Sequence, residues 1–170
     1  MVKIIFSVLL VSILSGCVTY ARVDHMVANK ADRAIGVAEG QQFKGTLELG
    51  RVEGDTKGLL KQALSESLRG ARLLAEDNGK AAYTLEVTEI RFPGQRIFEF
   101  GFEFTAALDV EYALIEKASG KVVYKKTLSS KASANMSDSW FAGNRKLIAL
   151  ERAARDNFEK VVDELLSLKV

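Results

Sequence analysis

One thiol and one imidazole bound the side-chain chemistry open to this chain, because Cys17 is its only cysteine and His25 its only histidine. A hydrolase of the nucleophile–base type needs a base poised near neutral pH, most often histidine. His25 instead sits in a weakly periodic polar stretch close to the N-terminus. A lone cysteine allows no internal disulfide, and one imidazole offers no His/Cys metal cluster. Carboxylates are the remaining candidates: Glu99, Glu103, Asp109 and Glu111 line one face of an alternating run, and close carboxylates raise one another's pKa. Steps of four and two residues set them about 13 and 7 Å apart along a strand, which reads as a solvated outer face. Gly36, Gly40 and Gly45 lack the strand-to-helix setting of a phosphate-binding loop. The chain is therefore expected to be non-catalytic, with no cofactor and no metal.

The neighbourhood of Cys17 is more telling. Lys3 is the only charge ahead of it, and Ile4 to Ile13 is apolar apart from Ser7 and Ser12. Such a run is too short for a permanent span, which takes about 20 apolar residues, and fits a secretory h-region. Leu14-Ser15-Gly16-Cys17 resembles the lipobox of bacterial lipoproteins. That resemblance implies cleavage between Gly16 and Cys17, a diacylglycerol thioether on the Cys17 sulfur, and acylation of the new amino terminus. Two or three acyl chains hold a protein stably on a bilayer where one does so only marginally. Val18 is not the Asp associated with inner-membrane retention in enteric lipoproteins, which implies the periplasmic face of the outer membrane.

Residues 1–16 are thus expected as a signal peptide, 17–40 as a lipidated N-terminus and tether, and 41–170 as a single periplasmic domain. The chain has 24 basic and 22 acidic residues, and 23 against 22 without Lys3. A mature charge near +1 is too small for a phosphate-binding surface, so no nucleic-acid partner is expected.

Periodicity places the elements. Phe43 to Val52 alternates as a strand, and Gly54-Asp55-Thr56 is turn and cap chemistry. Leu60, Leu64, Leu68 and Ala71 then recur at helical spacing, predicting about five turns that end near Asp77-Asn78-Gly79. Tyr83, Leu85 and Val87 alternate until parity switches at Ile90, predicting a bulge near Thr88-Glu89. Pro93-Gly94 signals a tight turn.

Phe98, Phe100, Phe102, Phe104, Ala106, Leu108, Val110, Tyr112 and Leu114 then fill nine consecutive even positions. Period two held that long is a half-buried strand. Straight, it would run close to 60 Å, so a bend at Gly101 or a projecting arm is expected. A hairpin loop at Lys117–Gly120 returns the chain through Val122, Tyr124 and Leu128, pairing Leu114 with Val122, Tyr112 with Tyr124 and Glu111 with Lys125. Residues 129–142 read as a polar loop closing on Trp140-Phe141, and a last helix runs from about Gly143 to Leu168.

The order strand, helix, three strands, helix gives an α+β, two-layer sandwich: βαβββα, a mixed sheet with two helices on one face. The first strand–helix–strand unit should cross over into parallel pairing. The phenylalanine row is either core beneath the helices or the floor of a cavity for acyl chains. Trp140 and Phe141 either form an exposed partner contact or plug one end of the core.

A second resemblance rests on Leu60-x-x-Ala63-Leu64-x-x-Ser67-Leu68, Ala82-Tyr83-x-Leu85-x-Val87, and Val110-x-Tyr112-x-Leu114 with Ser119-Gly120-Lys121-Val122-Val123. Together they resemble small periplasmic lipoproteins of the lipopolysaccharide-assembly type, auxiliary lipoproteins of ABC-type transport systems, and the amino-terminal domain of Tol-system beta-propeller proteins. Phe141-Ala142-Gly143-x-Arg145, with Glu151-x-Ala153-x-Arg155-x-Asn157, resembles the start of the last helix in uncharacterised members. The resemblance implies a βαβββα accessory or assembly component of an envelope transport system, held at the membrane through Cys17 and acting on a protein partner. The alternative is a carrier of lipid or lipopolysaccharide; no other small-molecule ligand is expected.

Overall fold

The computed structural model describes residues 20–28, 43, 45–77, 80–93 and 102–169. Gly16, Cys17, Gly94 and the residues Phe98 to Gly101 lie outside that set. In chain order the elements are α1 (Val23–Met26), β1 (Leu47–Val52), α2 (Leu59–Gly70), β2 (Tyr83–Arg91), β3 (Glu103–Glu116), β4 (Val122–Asn135) and α3 (Ala142–Ser167). The sheet order is β1-β2-β3-β4, with β1 parallel to β2 and the other pairs antiparallel. This is the expected mixed α+β sheet with its helices packed against it, joined by the one-turn helix α1.

The even-numbered row explains the layering. Ala106, Leu108, Val110, Tyr112 and Leu114 are buried against Phe158, Val161 and Leu165 of α3, with Leu64 and Leu68 of α2 in the same core. Within the described residues the row is core and not a cavity floor. Phe102, by contrast, is exposed, and Phe104 is half-buried. The last β2–β3 pair is Arg91 with Asp109, while β3 and β4 stay paired out to Glu103 and Asn135. Six residues of β3 therefore run on past β2, about 20 Å of projecting arm.

Other expectations are refined. The bulge falls between Val87 and Glu89. Helix α2 has 12 residues, shorter than the five turns expected, because Arg72 takes a left-handed φ of 57° and Leu73 N–H closes onto the Leu68 carbonyl at 3.0 Å. That is a Schellman stop, made without the usual glycine. At the other end Asp55 does cap, its Oδ2 accepting from Lys61 N at 2.7 Å.

The β3–β4 register is slipped by two residues: Leu114 faces Tyr124, Tyr112 faces Lys126, and Glu111 faces Thr127. Gly120, at φ 68°, closes the hairpin between Glu116 and Lys121, and the shift after Leu114 inserts Val123 as an extra residue. A slip of two preserves facing, so Glu111 still meets Lys125 at 3.2 Å, while Val122 at the strand's start is exposed.

The expected loop at residues 129–142 is instead strand as far as Asn135. Its inward positions are Ser130, Ala132 and Ala134, small enough for α3 to lie close.

Residues 23–28, expected within a tether, are also built into the domain. Met26 and Ala28 are buried, and the Ala28 amide donates to Ser67 Oγ at 2.9 Å.

Candidate functional site

Three features distinguish the surface. The first is the tip of the arm. Phe102, Trp140 and Phe141 are 77, 79 and 75% exposed, so Trp140 and Phe141 do not plug the core. Their backbone is nevertheless tightly braced. The buried Arg145 donates from Nη1 to the carbonyls of Ser139 and Trp140 at 2.9 and 2.8 Å, and its guanidinium lies 5.3 Å from the centroid of the Phe104 ring.

Two turns further along α3, Arg152 makes two hydrogen bonds to Asp138, at 2.5 and 3.0 Å, and a third to the Ser133 carbonyl at 2.8 Å. Asp138 in turn accepts from the Asn135 amide at 2.9 Å. The Arg152 guanidinium, then that amide, hold the Asp138 carboxyl below the usual carboxylate range. The loop thus offers its aromatics on a fixed backbone, so little order has to be gained when they are covered.

The second feature is a clasp around the N-terminal segment. The buried carboxylate of Glu151 accepts from the Arg22 backbone amide at 2.8 Å. Nδ1 of His25 lies 3.1 Å from Glu151 Oε2 and 2.7 Å from Arg22 Nη2. With the ring proton on Nε2, Nδ1 accepts from the guanidinium; with a proton on Nδ1 it donates to the carboxylate. Arg155 closes the clasp with two bonds to the His25 carbonyl, at 2.8 and 2.6 Å. His25 here ties the N-terminal segment to α3 through Glu151 and Arg155.

The third feature is the outer edge of β1. Leu47 bonds to residues 73 and 75 there, its amide to the Leu73 carbonyl and its carbonyl to the Ala75 amide, both at 2.9 Å. Beyond Leu47 that edge faces a groove of about 890 Å³, bounded by Leu49, Leu74, Glu76 and the α2 side chains Lys61, Ser65 and Arg69. The opposite edge, β4, is guarded: Lys160 and Arg152 reach from α3 to the carbonyls of Ser129 and Ser133. Such side-chain capping is how natural sheets blunt an edge.

Glu48 and Glu111 serve structural pairs. Glu48 meets Lys117 at 3.2 Å and accepts from Thr84, which depresses its pKa, Lys117 contributing most. Glu111 is likewise lowered, chiefly by the Thr88 hydroxyl and then by Lys125. Glu103, Asp109 and Glu111 keep to one strand and do not converge, and Glu99 lies outside the described residues. Among the described residues no group of three metal-ligating side chains comes together, and no helix is long and apolar enough to cross a membrane.

A buried polar knot escaped sequence reasoning. Tyr112 donates to Asn157 Oδ1 at 2.8 Å, and Asn157 Nδ2 donates to the Leu128 carbonyl at 2.8 Å with Ser130 Oγ at 3.3 Å. Burial carries the Tyr112 hydroxyl well above its ordinary pKa. Arg145, Glu151 and Asn157 are the polar residues most buried on α3, and their six-residue steps follow no helical face that hydropathy alone would mark.

No family model and no curated protein matches the chain. Solved structures do share its fold. The minor lipoprotein from Acinetobacter baumannii is 18% identical, with a TM-score of 0.54 over 71% of this chain and 90% of its own. A Xanthomonas campestris protein of the DUF330 family is 15% identical, also at 0.54, over 86 and 91% of the two chains. A Caulobacter crescentus protein named as a candidate lipoprotein is 21% identical, with a TM-score of 0.51 over 77 and 93%. At these identities the likeness is one of fold.

Proposed function

We propose that this chain is a lipid-anchored, non-catalytic protein of the bacterial outer membrane, facing the periplasm. Its role is that of an accessory or assembly component of an envelope transport system, through contact with a protein partner. The anchor is Cys17, on the strength of Leu14-Ser15-Gly16-Cys17 behind its apolar run. Lipoprotein names among the fold's neighbours agree with that reading.

The observation that carries the contact role is the outer edge of β1, which among the described residues is paired at Leu47 alone. Alternate residues of a strand direct their amide and carbonyl to the same side. Leu47 uses that side for residues 73 and 75, so Leu49 presents the next pair to the groove. An extended partner segment continuing from residue 75 would add a strand there, with Lys61, Glu66 and Arg69 placed to read its side chains.

A photoreactive residue at Lys61 or Ser65 tests this in living cells. A discrete protein adduct is expected from both positions, and none from Lys121 at the hairpin. Unmodified protein from Lys61 and Ser65 would remove the edge as the contact. Separately, Cys17→Ser should release the protein from the membrane fraction; if it stays bound, the anchor is elsewhere.

A further inference from the structure

We propose that the arm tip is a second membrane foot, with Phe102, Trp140 and Phe141 entering the interfacial zone of a phospholipid bilayer beside the acyl chains of Cys17. The inference rests on the lipid-anchor reading, and it follows from where the chain leads.

Strands β1 and β2 run in parallel toward the end where β3 begins and β4 finishes, so α2 and α3 both start at that end. The N-terminal segment descends between those helices, from Tyr20 against Lys57, through Arg22 on Glu151, to Ala28 on Ser67. Tyr20, the first described residue, therefore stands toward the aromatic end.

The lengths agree. Glu151 lies nine residues below Ala142 on α3, about 14 Å along the axis. The five residues from Arg22 back to Cys17 reach up to about 17 Å when extended. Cys17 can thus stand level with Phe141.

The surface chemistry suits a headgroup boundary. Tryptophan's ring and N–H favour a site apolar on one side and wet on the other. Exposed Ala142 and Gly143 continue the apolar surface, and Lys57 and Lys146 stand exposed at the same end, with Glu103 the acidic group beside Phe102. A bilayer needs no complementary shape, only aromatics held outward, and Arg145 and Arg152 hold that loop.

Trp140 is the sole tryptophan, so tryptophan fluorescence, excited selectively over the tyrosines, reports this patch alone. The full acylated protein is placed on vesicles of phosphatidylethanolamine and phosphatidylglycerol, with and without dibrominated acyl chains, and floated on a density gradient. The emission should shift to the blue and lose most of its intensity on brominated vesicles. The double variant Phe102→Ser, Phe141→Ser should float equally while recovering emission. Native protein that floats with water-like, unquenched emission overturns the proposal and returns the patch to a protein contact. Protein that neither floats nor is quenched removes the lipid anchor as well, so the two failures are distinguishable.

Discussion

At the arm end of the sandwich three large aromatics face solvent over a loop braced by two arginines. At the opposite end the β3–β4 hairpin presents Lys117, Ser119 and Lys121, with Val122 beside them. Both ends are well built. Glu116 and Lys121 close the hairpin at 2.9 Å, with the Ser119 hydroxyl donating to the Glu116 carboxylate, much as Asn135 and Asp138 close the arm loop. Hydrogen bonding therefore does not separate them. What differs is which side chains the ordered backbone carries outward: solvated charges at one end, apolar rings at the other. An ordered loop that displays rings to water is a surface prepared to be covered, whereas the hairpin is already at home in solvent.

If both ends hang on one core, damage to that core should weaken both. Asn157→Ala strips the acceptor from the buried Tyr112 hydroxyl and frees the Leu128 carbonyl. It should cost about 2–4 kcal/mol, seen as a lower urea midpoint in a single transition. Two separate transitions would mean that the arm folds independently of the hairpin end.

A change confined to the hairpin end should be smaller. Gly120 sits at φ 68°, so Gly120→Ala should cost about 1 kcal/mol by thermal or urea denaturation. Trp140 fluorescence on vesicles should be unmoved.

Acid provides the finest distinction, because each end has a depressed carboxyl: Asp138 beside Arg152 at the arm, Glu48 beside Lys117 at the hairpin. A carboxyl whose folded pKa lies below its unfolded value, near 4, contributes stability above that value. The contribution fades as pH falls through the folded pKa. Asp138→Asn and Glu48→Gln should each be slightly less stable than the parent at pH 7, with the gap closing below about pH 4. A gap that persists at pH 2 would mean the carboxylate charge is not what matters.

The sequence disclosed the architecture because its apolar periods are long and clean. The row from Ala106 to Leu114 and the stripe through Leu64 and Leu68 leave few other ways to bury themselves. The second half of β4 was hidden by its own packing, since Ser130, Ala132 and Ala134 look like loop until a helix is laid across them. The hairpin register lies two residues from the expected one, one step from closure at Glu116–Lys121 and one from the extra Val123, and composition reveals neither. The clasp was invisible for another reason. Arg22, His25, Glu151 and Arg155 are some 130 residues apart, and each alone reads as a surface charge. Only burial tells that Glu151 is anything else. The exposure of Trp140 and Phe141 was equally undecidable from hydropathy, because a plug and a patch have the same letters.

The clasp has a mechanical meaning. A leash of two dozen residues would let a domain wander widely over the membrane that moors it. On the proposed anchor at Cys17, tension from that side is taken up directly by Glu151 and Ser67 on the two helices that carry the core. A domain clasped in this way would ride close to such a mooring, and a partner would come down to meet it.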